Sequence, residues 1–390
     1  MSTPNPTALS VALYWSLPGP SRFTSELAHS LDSTAVLVIR IASSHVTGIR
    51  HALREALTSA CHAPERVEFV ELDEGTHLES DVGHHFGRAT VSALELATWS
   101  APPRTTIVLT PRTARARERC REYLEEYARE LIPGRKCTTR LVLVWHSSDD
   151  ALTPKVGQVV SFNGALSPDE MHAYVALRMV GQRGPGSTSL ARHLVTEFAG
   201  TDALLAEELI RLPHEELLRL PDSLSRVSSQ VGADTAIGTL RDWHVSRSQG
   251  PEAAAAGNRI ESMYWRACVR SLLPWLEERR RSVIERLRLT LEDYLYPTGG
   301  VWKKTNPWQQ HKSVDISIDD LEFNDVVAMS HHRADPLAPG DAEAQRLVVA
   351  CWFAKRVRDA LAHLRPPAVE DIEGMVRTFD ETLAGDGETR

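Results

Sequence analysis

Hydrophobic residues follow two different patterns along the chain, and the change falls near residue 165. Before it, short β-branched runs alternate with amphipathic stretches of helical spacing such as GIRHALREALTSA and RERCREYLEEYAREL. The runs predict six strands, VALYW, AVLVIRI, RVEFVEL, TTIVLT, RLVLVW and QVVSF. Because strands that alternate with helices pair mostly in parallel, residues 1–165 predict an α/β domain with helices on both faces of the sheet.

The pattern is helical from about residue 166 onward. SPDEMHAYVALRMV begins with Ser167 as a candidate N-cap, and the loop GQRGPGSTS separates it from further helices, which predicts an all-α lid or bridging region over 166–250. RSQGPEAAAAGN is the candidate linker to an all-α bundle over 258–385. We expect this bundle to contain two long helices separated at Pro274, the irregular stretch YPTGGVWKKTNPWQQHK, and two final helices, DAEAQRLVVACWFAKRVRDALAHL and VEDIEGMVRTFDETL.

Length, net charge and cysteine content argue against some classes of protein function. A chain of 390 residues is long enough for two or three domains, and a formal charge of −8 argues against non-specific coating of nucleic acid while allowing a local basic groove. No apolar run is long enough for a membrane span and the first residues do not resemble a signal peptide, so we expect a cytoplasmic protein with no membrane partner. The cysteines are scattered, which indicates reduced core residues rather than zinc or disulfide sites: Cys61, Cys120, Cys137, Cys268 and Cys351.

The predicted α/β domain is of a kind that can bind a nucleotide. The first predicted strand runs into SLPGPSRFTSELAHSL, where a turn with Gly19 meets a predicted helix start and free backbone amides could hold phosphate. The stretch resembles a P-loop NTPase in its placement, but the positions of the P-loop glycine, lysine and hydroxyl read Ser21, Arg22 and Phe23. Asp73 and Glu74 could act as the acidic pair that orients magnesium and water. The resemblance therefore implies a degenerate domain, with ATP or another nucleotide as a weakly predicted ligand at Gly19, Ser21, Arg22 and Thr24, and with hydrolysis disfavoured.

An arginine-rich run, PRTARARERCRE, opens the predicted helix before the strand RLVLVW. Cations are unfavourable at the amino end of a helix, so Arg112, Arg115 and Arg119 are candidate ligands for an anion such as phosphate or RNA. The alternative is a solvated face on which Glu118 and Glu122 offset the arginines at helical spacing. No set of histidines has a recognised metal-ligand spacing, and we predict no metal site.

The segment RDALAH, Arg358 to His363, lies late on a long predicted helix and is followed by two prolines. It resembles the signature of HEPN domains, in which an arginine, a polar residue and a histidine lie on a helix of an all-α bundle. The resemblance implies a metal-independent ribonuclease that works as a pair of facing motifs. A histidine moves the proton of the ribose hydroxyl or leaving oxygen, and an arginine neutralises the scissile phosphate.

The spacing and charge of the motif residues meet only part of what this chemistry requires. Five positions along a helix rotate the direction by about 140°, so Arg358 and His363 do not share a face unless the helix end unwinds near Pro366 or a twin subunit supplies one of them. Arg356 and His363, seven apart, do share a face, so either arginine is a candidate phosphate ligand. Asp359 stands in the polar slot, where asparagine is frequent, and its carboxylate would repel a phosphate unless it orients His363 or pairs with an arginine.

Two hypotheses follow. In the first, the chain is a HEPN-type ribonuclease or toxin-like effector of a prokaryotic defence or stress system. It is a homodimer through its C-terminal bundle and needs no cofactor, and its NTPase-like domain senses a trigger or restrains the nuclease. In the second, it is a non-catalytic adaptor that docks protein partners from the same system. Trp302 and Trp308 could serve as docking anchors, as platforms for RNA bases, or as ordinary core residues.

Overall fold

The computed structural model describes residues 6–41, 48–59, 66–75, 77–99, 105–131, 139–146, 154, 156–180, 185–228, 238–306, 309–332, 336–337 and 340–383. These residues form two compact units, one of residues 1–174 and 201–204 and the other of residues 175–200 and 205–390. The expected division at 165, 250 and 258 stays a prediction. The position of the linker within that division is corrected below.

The first unit contains a five-stranded parallel sheet. Its strands are β1 (Val36–Ile41), β2 (Arg66–Leu72), β3 (Thr105–Pro111), β4 (Thr139–His146) and β5 (Gln158–Phe162), in the order β2-β3-β4-β1-β5. The register pairs Val36 with Leu141 and Leu37 with Gln158. The parallel α/β class expected for this region is therefore confirmed.

Helices flank the strands of this unit: α1 (Pro6–Ser16), α2 (Pro18–Ser33), α3 (Ile49–Ser59), α4 (Leu78–His85), α5 (Ala93–Thr98), α6 (Ala114–Glu130) and the start of α7 (Pro168–Arg178). One face of the sheet forms a core with α4, α5 and α6, in which Ile107 and Leu141 pack with Leu124. Since side chains alternate along a strand, Leu37 and Ile39 point to the opposite face. On the β5 side, Phe23 of α2 stacks on Phe162 with ring centroids 4.4 Å apart.

The strand expected at VALYW is wrong, because residues 6–16 form the helix α1. A short apolar run does not distinguish a strand from a buried helix by its periodicity, and here the helix buries Tyr14 and Trp15. The correction matters for the nucleotide hypothesis. Gly19 lies in the first turn of α2 and follows a helix, so it does not occupy the strand-to-helix turn in which a P-loop sits.

The second unit is helical with one hairpin. Its helices are the end of α7, α8 (Pro185–Ala199), α9 (Ala203–Ile210), α10 (His214–Leu218), α11 (Leu220–Ser228), α12 (Gly238–Ser246), α13 (Pro251–Arg286), α14 (Arg288–Leu295), α15 (Phe323–Ser330), α16 (Ala342–Ala362) and α17 (Val369–Leu383). Short 3-10 turns cover Tyr296–Thr298 and Ile318–Asp320. The strands β6 (Trp302–Asn306) and β7 (Gln309–Ile316) pair antiparallel. None of the described helices is long and apolar enough to cross a membrane.

Helix α13 is the longest element and contacts most of the others in this unit. Its Tyr264 hydroxyl donates to the Leu218 carbonyl at 2.6 Å, and the Trp265 indole donates to the Leu361 carbonyl at 3.0 Å. Trp275 meets Phe379 edge to face at 5.5 Å. Because these partners lie on α10, α16 and α17, α13 ties the helical unit together along its length.

Four expectations for this unit are wrong. The linker expected at 247–258 is mostly the first two turns of α13, because four consecutive alanines favour a helix and Pro251 sits in its first turn, where proline is tolerated. Pro274 lies inside the same helix and does not separate two. The irregular stretch is the β6–β7 hairpin, in which Trp302 pairs with Ile316. In addition, α8 begins at Pro185, within the expected loop.

Replacing Pro274 with alanine is expected to raise the free energy of unfolding by about 1–3 kcal/mol. Alanine restores the backbone hydrogen bond toward residue 270 and removes the clash of the proline ring with that carbonyl. Urea denaturation followed by circular dichroism measures the change. The control is Pro251→Ala in the first turn of the same helix, where we expect a change within about 0.5 kcal/mol. Equal effects of the two substitutions would contradict the prediction.

Candidate functional site

The amino end of α2 holds the predicted nucleotide residues, and a carboxylate of the same unit occupies it. The Gly19 amide donates to Oε1 of Glu170 at 2.5 Å. The other oxygen, Oε2, accepts from the Ser167 amide at 2.9 Å and from the Ser167 hydroxyl at 2.7 Å. A free amide at this end of a helix is the group that would bind a phosphate oxygen. Here the glutamate takes that hydrogen bond.

Glu170 belongs to a capping box that starts α7. The Glu170 amide donates back to the Ser167 hydroxyl at 3.3 Å, which confirms Ser167 as the N-cap. Burial raises the pKa of the Glu170 carboxyl, but the hydrogen bonds from Ser167 and Gly19 and the charge of Arg22 outweigh it. The pKa of Glu170 therefore lies below its ordinary value, and the group is an anion at neutral pH.

The remaining predicted nucleotide residues lie on the body of α2. Ser21 and Arg22 are exposed, and Thr24 is half-buried with its hydroxyl donating to the Pro20 carbonyl at 3.1 Å. In an open parallel sheet, ligands bind beyond the carboxyl ends of neighbouring strands whose connections leave in opposite directions. Those strands are β1 and β4, and the segments directly after them, 42–47 and 147–153, lie outside the described residues.

The arginine run connects the first turns of α6 to the end of β2. Arg112 forms an ion pair with Glu71, which also pairs with Arg50. Nη2 of Arg119 donates to the Asp73 and Glu74 carbonyls at 3.3 and 3.0 Å. Arg112 and Arg119 are thus engaged by groups of the same unit. This arrangement favours the structural interpretation of the run.

The first turns of α6 form further contacts within the helix. The α6 amino end is capped by the Thr113 hydroxyl, which accepts from the Ala116 amide at 3.2 Å. Arg121 pairs with Glu118 along the helix. Arg115 is exposed, and no ion pair joins it to another of the described residues. Of the three predicted anion ligands, Arg115 alone is therefore exposed with no ion pair or hydrogen bond from its side chain to another of the described residues.

The predicted catalytic histidine caps the end of α16. His363 is the C-cap residue and is exposed, and its ring makes no hydrogen bond to another described residue. The Leu364 amide donates to the Leu361 carbonyl at 3.2 Å and the Arg365 amide to the Ala360 carbonyl at 2.9 Å. These are the two hydrogen bonds of a Schellman motif. The helix therefore keeps its winding up to Ala362, so the unwinding that would let Arg358 and His363 meet within one chain is not present.

The arginines of the same motif are paired with carboxylates. Both terminal nitrogens of Arg358 donate to Glu322, the N-cap of α15, with Nη2 3.0 Å from Oε1. Nε of Arg356 lies 3.1 Å from Oδ2 of Asp371, and its guanidinium stacks over Trp352 at 4.7 Å. Asp359 was expected to orient His363 or to pair with an arginine, but neither contact is formed among the described residues.

The sequence analysis did not identify the carboxylates that pair with the motif residues. Glu170 carried a local signal, because it follows Ser167 by three residues at the start of an apolar helix. Glu322 lies 36 residues before Arg358 and Asp371 lies 15 after Arg356, so no local pattern identifies either as a partner.

Cysteines and histidines form no further site among the described residues. Cys120, Cys268 and Cys351 are buried free thiols, as expected, and burial raises the pKa of Cys120 to about 12. Cys61, Cys137 and Trp308 lie outside the described residues. The described part of the chain contains no group of three or more histidine, cysteine or acidic residues that could hold a metal ion.

The described elements define a parallel α/β unit and a helical unit with one hairpin. No family model matches the chain, and no curated protein matches it. The chain is similar to the crystal structure of Saccharomyces cerevisiae RIF2, with 10% identity and a TM-score of 0.34, over 54% of this chain and 90% of that one. It is also similar to a variant of Thermotoga maritima RuvB, with 13% identity and a TM-score of 0.31, over 75% of this chain and 91% of that one. Likenesses at this level carry no functional argument.

Replacing Glu170 with glutamine is expected to lower the free energy of unfolding at pH 7 by about 0.5–1.5 kcal/mol, because the charge-assisted hydrogen bonds are lost. The pKa of Glu170 is depressed from 4.5 in the folded protein, so its contribution is fully present above that pH and is lost as the pH falls through the folded value. The difference between wild type and variant should shrink as the pH falls from 7 to about 3.

Urea denaturation at several pH values measures this difference. The control is Asp169→Asn, which changes an exposed carboxylate one residue away and should change stability by no more than a few tenths of a kcal/mol at any pH, about the size of a surface effect. A difference between wild type and Glu170→Gln that is constant over the whole range would show that the Glu170 charge is not stabilising.

Leu364→Gly is expected to raise the free energy of unfolding by about 0.5–1.5 kcal/mol. Leu364 has a φ of 56°, the left-handed region that costs a residue with a Cβ about 1–2 kcal/mol, and its side chain is 72% exposed, so little packing is lost. Thermal unfolding measures the gain. Arg365→Gly, next in the chain and without a positive φ, is the control and should be neutral or destabilising. Stabilisation by both substitutions would contradict the prediction.

Proposed function

We propose that this protein is a non-catalytic adaptor, built on a degenerate NTPase-like α/β unit and a helical unit, that docks protein partners of a multi-protein system. The single observation that carries the proposal is shared by the two sequence motifs. At each motif, the group that would bind phosphate already donates a hydrogen bond to a carboxylate of the same chain. The Gly19 amide donates to Glu170, and the Arg358 guanidinium donates to Glu322.

The ribonuclease hypothesis is less well supported by this geometry. A scissile phosphate would have to displace Glu322 from Arg358, or Asp371 and Trp352 from Arg356. The Schellman end of α16 keeps Arg358 and His363 about 140° apart around the helix. Cleavage would therefore need a twin subunit to bring a second motif to the same phosphodiester. A homodimer of that kind stays a prediction.

The nucleotide hypothesis is weakened in a similar way. The P-loop lysine position is Arg22, and the glycine amide is engaged by a carboxylate that would repel phosphate. A five-stranded parallel sheet nevertheless fits an NTPase-like unit. We infer that this unit is retained as a scaffold. The assignment to a defence or stress system rests on the HEPN resemblance alone, in which members that have lost nuclease activity act as interaction modules.

The adaptor proposal predicts that the purified protein leaves RNA intact. Wild type, Arg358→Ala, His363→Ala and Glu322→Gln are incubated with transfer RNA and single-stranded RNA, and the products are separated on a denaturing gel. Glu322→Gln frees the Arg358 charge while keeping the shape of the side chain. We expect no cleavage by any of them, and no rise in Tm with millimolar ATP and magnesium.

Partner binding is tested directly by co-expression with the products of the adjacent genes, one at a time, followed by gel filtration. At least one product should elute with this chain in a fixed ratio. RNA cleavage by wild type or Glu322→Gln that is lost in both Arg358→Ala and His363→Ala would overturn the proposal and restore the ribonuclease hypothesis.

A further inference from the structure

A small apolar cavity opens between four helices of the helical unit. It has a volume of about 190 Å³, and its apolar lining comes from α8, α10, α13 and α17 through Leu190, Leu218, Leu272, Ile372 and Val376. Sites for cofactors and drug-sized ligands have volumes of about 300–1,000 Å³, whereas an apolar cavity of about 150 Å³ holds a single benzene. The size therefore excludes a nucleotide and matches one large apolar side chain.

An acidic groove adjoins this cavity. The groove has a volume of about 420 Å³ and is lined by α10, α11 and α17 through Glu215, Glu216, Arg219, Ser223 and Glu373. Glu373 lines both the cavity and the groove. A segment that placed one side chain in the cavity would therefore place its neighbours beside the carboxylates of the groove.

The charges of the groove do not cancel. Arg219 lies 3.5 Å from Glu370, and Glu216 pairs with Arg226, so these two groups are compensated. Glu215 and Glu373 are exposed, and neither forms an ion pair with another of the described residues. The groove thus presents two uncompensated carboxylates to solvent, which favour a cationic partner.

We propose that the cavity and the acidic groove together bind a short segment of a partner protein, which inserts one large apolar side chain (leucine, methionine or phenylalanine) and places an adjacent lysine or arginine on Glu215 and Glu373. The inference rests on the adaptor function and names the kind of partner that it docks. A buried apolar anchor supplies most of the affinity of such a contact, and the surrounding charges select the partner.

Several features of the helical unit support this occupant. Val376 is half-buried at the cavity, so one wall is accessible from outside. Arg377 also lines the cavity, four residues after Glu373 on α17, but no ion pair joins it to Glu373 or to another of the described residues, so both carboxylates of the groove stay unpaired.

The test is an array of ten-residue peptides with a central leucine, methionine, phenylalanine or alanine, flanked by lysine or by glutamate. Labelled full-length protein should bind the lysine-flanked peptides with a large apolar centre and neither the alanine-centred nor the glutamate-flanked ones. Fluorescence anisotropy with the best peptide then compares variants. Glu373→Lys should weaken binding at least about tenfold, and Val376→Trp, which fills the cavity, should abolish it.

Glu381→Lys is the matched control, because it makes the same charge change at an exposed position on the same helix and should leave affinity within about twofold. Circular dichroism verifies that each variant is folded. A blank array, equal binding of glutamate-flanked peptides, or full binding by Val376→Trp would overturn the inference. RNA cleavage by the same preparation would instead overturn the adaptor function, so the two failures are distinguishable.

Discussion

In both units, intramolecular carboxylates pair with groups that the sequence motifs offered as phosphate ligands. In the α/β unit, Glu170 accepts hydrogen bonds from the start of its own helix and from the start of α2. In the helical unit, Glu322 holds Arg358, and Glu207 holds Arg178 through two hydrogen bonds of 2.7 and 2.9 Å at a largely buried position. Charge-assisted hydrogen bonds of this kind fix helix ends to one another. They also leave fewer cationic groups for an external phosphate.

These intramolecular pairs bear on the choice between the adaptor and the ribonuclease hypotheses. A catalytic site needs an arginine, amide or histidine whose partner is the substrate, held ready in advance. The surface pairs here contribute only modestly to stability, since exposed ion pairs contribute about 0–1 kcal/mol each. The pairs matter more for ligand binding, because a phosphodiester would have to compete with the Glu322 carboxylate for Arg358. An apolar cavity beside uncompensated carboxylates is the feature on which the proposed docking of a partner segment rests.

Helix α16 illustrates how one sequence can support two interpretations. Its exposed face carries Arg356, Asp359 and His363, which could be read as a catalytic motif, while its opposite face buries Val357 and Leu361 in the helical unit. The Schellman motif ends the helix with a leucine in a glycine-like conformation, ahead of two prolines. A regular helix end directs the histidine away from Arg358 within one chain. Only a second molecule could bring such residues together.

Local patterns by themselves determined much of the architecture. Five strands, the helices α3, α6, α16 and α17, and the Ser167 cap all follow from hydrophobic spacing and capping residues, because these signals act over fewer than about five residues. The same reasoning failed at α1, at Pro274 and at the β6–β7 hairpin. There, packing outweighed the local signals, since an apolar run has no intrinsic choice between strand and helix and a proline is tolerated in a helix that tertiary contacts hold.

Tertiary structure alone decided the partners of the candidate site. Glu170 meets Gly19 across 151 residues and Glu322 meets Arg358 across 36, and the strand order brings β1 between β4 and β5. Long-range pairs leave no periodic trace in the chain, because either residue is an ordinary surface position in its own helix. The sequence by itself therefore determined which groups could do chemistry, and the fold decided that several of them, including Gly19, Arg356 and Arg358, already have partners.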